Sequence, residues 1–598
     1  MSEATSALPA RQMGGFANLL AALDHAAAFH ELGHTWFQGS GQTEAALSYA
    51  QLQWQSDACA ERLRQAAPGL QPGDRVGIVA ATGPWFLATF CACLRLGLVP
   101  CPLPMPAPLQ DMGRYRQHLL QLQQAAGMSL LLAPQALLPL LQPGLDWALL
   151  ALEGDVPTEP LPAANRASTS PLRRISAADC APDSIAYLQF SSGSTAQPKG
   201  IAISHRALMA NVDAILRHGM RLGAADRAFS WLPYYHDMGL VGFVLAPLCA
   251  QVPVDYLAPS AFARRPALWP SLMAQRASTV CYAPGFAWQL AARHSAAVPA
   301  DADLSALRIA GVGGDYVDAA ALQAFASAYA AHGFDPQAFK PSYGLAEATL
   351  AVAINHAPYN SLARHALVQA NGQVQLLPED SAETRVLVGC GGPLPGWQLQ
   401  IQSADGQVLP ALHEGEIVLQ GSARLSGTYQ QGALQALPAD APLRTGDLGF
   451  VDGDGCLYIT GRIKDLLVIN GRNLWPQDVE AAVQQEHAVA AEHLLLLQDA
   501  RPGKNLALVL LVHEKGLRKS LAGTEIDDAR LAAALQALAQ TATATAGSTV
   551  HVCMVTNSSI STTSSGKMAR QPTRLRFEAG QIRILASTGS AYPATPNL

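Results

Sequence analysis

The sequence predicts an α/β protein: a large N-terminal domain of two parallel-sheet subdomains plus a small β-barrel subdomain, followed by a smaller α+β C-terminal domain. Three observations predict it. At 598 residues the chain exceeds what one hydrophobic core organises. Short apolar runs recur between helical segments, the pattern of parallel sheets covered by helices on both faces. From residue 386 the pattern changes to short strands separated by glycine turns.

In chain order, residues 49–66 read as an amphipathic helix, 72–74 (Pro-Gly-Asp) as a turn, 75–80 as a strand and 85–98 as an apolar helix. Strand-like runs follow at 129–132, 185–190, 228–232, 279–282 and 308–311, and 386–429 supplies the short strands of the expected barrel. A boundary near 462–465 divides the chain into domains 1–463 and 464–598. Within the second domain 476–485 and 527–541 read as helices and 492–497 and 506–512 as strands. The tail from 579 is weakly patterned, and its last part is expected to be disordered.

Composition narrows the function. With 49% hydrophobic and 14% charged residues the chain can bury a large core. A net charge of −6 offers no general attraction to nucleic acid or to anionic lipid, so nucleic acid is not an expected partner. Ten scattered cysteines with no CxxC pair read as buried thiols of a reducing compartment. The residues after Met1 show no basic start leading into an apolar run, and the apolar stretches 76–94 and 238–254 are broken by proline and glycine, so neither a secretory leader nor a membrane span is expected. The expected location is the cytoplasm, and the expected state is a monomer.

Residues 187–200, YLQFSSGSTAQPKG, are the most informative stretch. An apolar strand opens into a loop in which Gly193 lets backbone amides face an anion, Ser191, Ser192, Ser194 and Thr195 add hydroxyl donors, and Lys199 adds a mobile cation. That chemistry suits a polyphosphate. The spacing is not that of the common NTPase loop, because Pro198 stands before the lysine and Gly200 stands where a Ser or Thr would hold magnesium.

Further islands follow in order: WLPYYHDMGLVG at 231–242, GVGGDY at 311–316, SYGLAEATL at 342–350, RTGDLG at 444–449 with GRIKD at 461–465, and SSGKMAR at 564–570. Together these resemble the adenylate-forming superfamily of acyl-CoA synthetases, luciferases and peptide-synthetase adenylation domains, over about residues 47–577. Within it the chain is most similar to fatty acyl-AMP ligases, through HDMG at 236–239, YGLAEATL at 343–350 and an inserted stretch at about 356–385. The resemblance implies an AMP-binding domain at 1–463 and a small mobile domain at 464–598. It also implies that the insertion limits swinging of that domain or blocks the route of coenzyme A.

The resemblance assigns roles residue by residue. A carboxylate must attack the α-phosphorus of ATP, so two anions have to be neutralised and aligned. Lys199 and the loop hydroxyls would hold the β and γ phosphates, Glu347 would bind Mg2+, and Lys567 would bridge carboxylate and α-phosphate. Gly313, Gly314 and Asp315 match the segment lining adenine, where many relatives carry Gly-Ala-Glu, and Tyr343 within Ser342, Gly344, Leu345 and Ala346 would stack on the base. Asp447 would accept the ribose hydroxyls with Arg462 nearby, and Lys464 would act as the hinge. His236 would lie between nucleotide and acyl pocket, and Gly285 and Phe286 would line that pocket, Gly285 where a larger residue such as Asn is expected. The plain alternatives are a solvated carboxylate for Glu347, a turn residue for Asp447 and core packing for Tyr343 and His236. The cofactors implied are ATP and Mg2+. The partners implied are a fatty acid and a separate acyl carrier protein, with coenzyme A as the alternative acceptor.

Overall fold

A computed structural model describes residues 10–106, 111–145, 147–154, 172–191, 198–369, 371–378, 385–438, 440–469, 472–501, 507–521, 527–562, 568–589 and 591–595. The chain forms two compact units. The larger takes residues 1–366, 376–445 and 449–459; the smaller takes 367–375, 446–448 and 460–598.

The larger unit is organised by an eight-stranded sheet in the order Ala351–Ile354, Phe339–Gly344, Ile309–Val312, Val280–Ala283, Ala228–Ser230, Val254–Leu257, Gly33–Phe37, Thr43–Ser48. The six central strands run parallel, and the two edge strands are antiparallel to their neighbours. Central strands such as Val280–Ala283 are buried at every position, as expected for a sheet covered on both faces. A second sheet, Val99–Leu103, Arg75–Val79, Leu130–Ala133, Leu149–Ala151, is parallel throughout. Its preceding helix covers Tyr49–Ala66, because Ser48 and Gln51 form a reciprocal capping box at its start.

One expectation is corrected in this unit. The strand Ile185–Ser191, read among the parallel strands, instead pairs antiparallel with Lys199–Ser204. The strands of the expected barrel fall in neighbouring sheets, two of them joined by an antiparallel bridge between Gly389 and Tyr458. Arg385–Val388 pairs with Ala363–Val368 in a three-stranded sheet, Trp397–Gln402 and Gly415–Gly421 join Leu443–Val451 and Leu457–Arg462, and Gly427–Gln430 pairs on Lys199–Ser204.

The smaller unit is built on the sheet Leu494–Asp499, Ala507–His513, Val550–Val555, Ile584–Ser587. Leu494 and Leu496 pack on one face with the helices Pro476–His487 and Asp528–Ala546, while Leu495 and Leu497 pack on the other with Phe577, so the sheet is buried on both sides. The tail is ordered further than its sequence predicts. Ile584–Ser587 pairs antiparallel with Val550–Val555, and Tyr592 is buried with its hydroxyl 3.0 Å from Asp499 Oδ2. Among the described residues no helix is long and apolar enough to cross a membrane.

Two buried histidines make the larger unit acid-labile. Burial lowers His34 from 6.5 to about 3 and His205 from 6.5 to about 4. His205 Nδ1 accepts the Leu19 N–H at 3.3 Å, which only the unprotonated nitrogen can do. Because both folded values lie below the unfolded one, their stabilisation is complete above pH 6.5 and is lost as pH falls from there toward 3 to 4. Each histidine then removes about 1.4 kcal/mol per pH unit. Urea unfolding between pH 7 and 4.5 is expected to show this slope and His205→Gln to flatten it; parallel curves for the two proteins would contradict it.

Candidate active site

Four neighbouring strands of the eight-stranded sheet, Ala228–Ser230, Val280–Ala283, Ile309–Val312 and Phe339–Gly344, are parallel, so the segments that follow them leave from the same end. Those segments, with the end of the last strand, carry in turn His236, Gly285 with Phe286, Gly313 to Asp315, and Ser342 to Glu347. The carboxyl end of a parallel sheet is where such folds place ligands.

Local packing explains the residue types. His236 is the residue before the short helix Asp237–Leu240; its N–H donates to the Pro233 carbonyl at 3.2 Å and its carbonyl accepts from Leu240 at 2.7 Å. Gly239 is needed there, because a Cβ would fall 2.2 Å from the Pro233 oxygen. Buried Gln189, on the strand entering the phosphate hairpin, donates from its side-chain amide to the Tyr235 carbonyl and ties that hairpin to the His236 segment. Gly285 opens the helix Gly285–Arg293. Next to it Phe286 is exposed, its ring 6.3 Å from Trp231, which stacks on Phe262 at 4.0 Å. These rings form an apolar wall.

After the strand Ile309–Val312, a Cβ on Gly313 would fall 2.5 Å from Ser342 Oγ, and that hydroxyl donates to the Val312 carbonyl at 3.1 Å. Gly314 has φ +75°, a conformation other residues seldom take. Tyr343 is buried and Glu347 is half-buried in the single turn Ala346–Ala348. The Glu347 carbonyl accepts the Leu425 N–H at 2.8 Å. Immediately after it, Thr349 has φ 66° and ψ −57°, and the Leu350 N–H closes on the Ala348 carbonyl at 2.8 Å. This is a strained γ-turn. The fully buried Thr349 hydroxyl holds it by donating to the Ala423 carbonyl at 2.6 Å. No local pattern marks Thr349, since a β-branched residue ordinarily signals extended backbone.

The hairpin expected to hold phosphate is described at its two ends. Ser191 stands opposite Lys199, which is half-buried at the start of the returning strand. Ser192, Gly193, Ser194 and Thr195 lie outside the described residues, as does the Ser191 side chain.

Within the smaller unit, Arg462 Nε lies 2.8 Å from Asp447 Oδ1, the arginine exposed and the aspartate buried, and the Ile463 N–H donates to the Gly446 carbonyl at 2.9 Å. The two residues expected at the ribose are thus paired. Lys464 lines a cleft of about 220 Å³ with Asp465, Gln498, Arg570 and Arg574. Arg570 holds Glu480 at 2.6 and 3.1 Å and also donates to the Leu496 carbonyl, which fixes the start of the helix Arg570–Glu578. Lys567 lies outside the described residues.

Residues 23–429 match the AMP-binding enzyme family, more than half of the chain. The protein belongs to the AMP-binding enzyme family. This AMP-binding enzyme is 36% identical over 582 residues to a Caulobacter vibrioides protein provisionally named an acyl-CoA synthetase, covering 94% of this chain and 96% of that one. It is 28% identical over 587 residues to the medium-chain-fatty-acid–[acyl-carrier-protein] ligase JamA of Moorena producens, covering 93% and 95% of the two chains. Among solved structures it matches one from a study of fatty acyl-adenylate ligases of E. coli and L. pneumophila, with a TM-score of 0.84, 32% identity and coverage of 96% of this chain and 100% of that one. The expected α/β architecture and the resemblance to fatty acyl-AMP ligases are both borne out.

Proposed function

We propose that this enzyme joins a fatty acid to ATP, forming an acyl-adenylate and releasing pyrophosphate, and then passes the acyl group to the phosphopantetheine thiol of a separate acyl carrier protein. In the first step the carboxylate oxygen bonds to the α-phosphorus and the bond to pyrophosphate breaks. In the second the thiol loses its proton, its sulfur bonds to the acyl carbon, and AMP leaves.

The observation that carries this reading is the delivery of His236, Phe286, Gly313 to Asp315 and Ser342 to Glu347 to one end of one sheet. The apolar rings of Phe286 and Trp231 suit an acyl chain, and the tight glycine turn at 313–314 lets backbone approach a flat base. Lys199, at the mouth of the hairpin, would draw the leaving phosphates, and the Asp447 carboxylate, oriented by Arg462, would accept ribose hydroxyls. Lys567 would supply charge between carboxylate and α-phosphate, and Lys464 would be the hinge of a mobile domain at 464–598.

Mg2+ fits this donor set. Among the described residues no group of three or more His, Cys, Asp or Glu could form a protein cage, and Mg2+ is ordinarily held by one or two carboxylates together with substrate phosphates. Glu347 is the carboxylate proposed. The bound ion would neutralise phosphate charge. Ten free cysteines, nine of them buried, support a reducing compartment, and we assign the protein to the cytoplasm.

The name of the Caulobacter relative favours a second reading, with coenzyme A as acceptor. Incubation with fatty acid, ATP and Mg2+ is expected to accumulate acyl-adenylate until phosphopantetheinylated carrier is added, with free coenzyme A consuming it slowly. Thioester formed as fast with coenzyme A as with carrier would select the second reading.

A further inference from the structure

The nucleotide loop is anchored from a direction that the proposed reaction does not explain. Between the strand Ile309–Val312 and the helix Ala319–Tyr329 the chain has no sheet or helix ladder of its own. Gly314 adopts a left-handed conformation, and the Asp315 carboxylate accepts the N–H of Tyr316 at 2.9 Å. Such a segment is placed by the contacts its side chains make elsewhere. The Tyr316 hydroxyl donates to the Val386 carbonyl at 2.9 Å. Val386 belongs to the strand Arg385–Val388, which pairs with Ala363–Val368 at the end of the stretch read as an insertion. The backbone carbonyl of the same tyrosine faces Gly285, where a Cβ would approach it to 3.3 Å, closer than nine in ten such contacts. Gly285 is the first residue of the helix that carries Phe286.

We infer that Tyr316 is a positioning residue. Its hydroxyl braces the nucleotide loop against Arg385–Val388, the strand on which the inserted stretch ends, and its carbonyl sets that loop against the acyl-side helix through the space left by Gly285. The inference rests on the reading of Gly313, Gly314 and Asp315 as the adenine-lining segment. It assigns a task to Arg385–Val388 and to the inserted residues 363–366 paired with it: they hold the nucleotide loop. The absence of a side chain at Gly285 then belongs to the same arrangement, because a larger residue there would push the Tyr316 carbonyl and the loop with it.

The tyrosine ring is 38% exposed, so removing its hydroxyl opens no core and the kinetic effect can be separated from stability. Tyr316→Phe is expected to leave the thermal midpoint unchanged and to weaken ATP binding about fivefold, the effect of one neutral hydrogen bond, measured both as a dissociation constant by calorimetry and as KM for ATP. The KM for fatty acid and kcat should stay near wild type. In the free protein, amide hydrogen exchange should accelerate in both 313–318 and 385–388 and nowhere else. Gly285→Ala, which leaves the hydroxyl intact, should raise the KM for ATP and for fatty acid together. Unchanged ATP affinity in Tyr316→Phe, or exchange unaltered at 385–388, would overturn the assignment. A wild-type protein that neither binds ATP nor exchanges pyrophosphate would instead overturn the underlying reading of the site, which the exchange measurement on free protein does not require.

Discussion

Replacing Lys567 by alanine is expected to slow acyl-adenylate formation by about 10²- to 10³-fold, the range found when one charge-stabilising donor is removed from a reacting centre. The reaction brings a carboxylate onto a triphosphate, and an added cation between them lowers the barrier by offsetting the approach of like charges. The contribution proposed for Lys567 belongs to the first half-reaction. Transfer from chemically prepared acyl-adenylate to carrier should therefore proceed at close to the wild-type rate in Lys567→Ala. Pyrophosphate exchange and single-turnover transfer, measured on one preparation, test both statements. Near-normal exchange would remove Lys567 from the mechanism, and equal loss of both half-reactions would show that the substitution disturbs the small unit as a whole.

Glu347→Ala should lower turnover by about 10²-fold or more and shift the Mg2+ concentration for half-maximal exchange upward. A change confined to the metal dependence separates ion binding from general damage. The geometry gives a reason for expecting sensitivity here. The carboxylate sits on a single turn whose carbonyl is bonded to Leu425 and which runs directly into the strained turn at Thr349. Shortening the side chain in Glu347→Asp should recover only part of the activity, because this backbone has little freedom to follow it. Water-proton relaxation with Mn2+ and ATP gives a second readout that does not depend on turnover. Superimposable metal titrations of Glu347→Ala and wild type would place the ion elsewhere.

Local pattern carried most of the architecture. The helix Tyr49–Ala66 could be read to its ends because its capping residues are adjacent in sequence, and the parallel strands stood out as continuous apolar runs. The sequence islands likewise fall on three of the four segments that meet at one sheet end, and the resemblance added the fourth at Gly285 and Phe286. What escaped the sequence depends on partners distant along the chain. The return of the phosphate loop as Lys199–Ser204 was hidden because Pro198-Lys199-Gly200 reads as a loop exit rather than as the start of a paired strand. The bonds from Gln189 to Tyr235 and from Tyr316 to Val386 join residues with no shared periodicity, so only the folded register shows them. Tyr592 was missed because a lone aromatic among small and polar residues gives no repeating signal, although its ring packs on Phe577 and its hydroxyl reaches Asp499.

That buried tyrosine has a consequence for biosynthesis. The last sheet edge of the small unit, Ile584–Ser587, and the plug formed by Tyr592 become available only after nearly all of the preceding sequence has been translated. Until then Val550–Val555 has an unsatisfied margin, the kind of surface that nascent polypeptides pair with wrongly and that chaperones shield. The eight-stranded sheet of the larger unit, whose strands all lie before residue 355, can form while ribosomes are still elongating. Synthesis therefore completes that central sheet well before the sheet of the smaller unit can close.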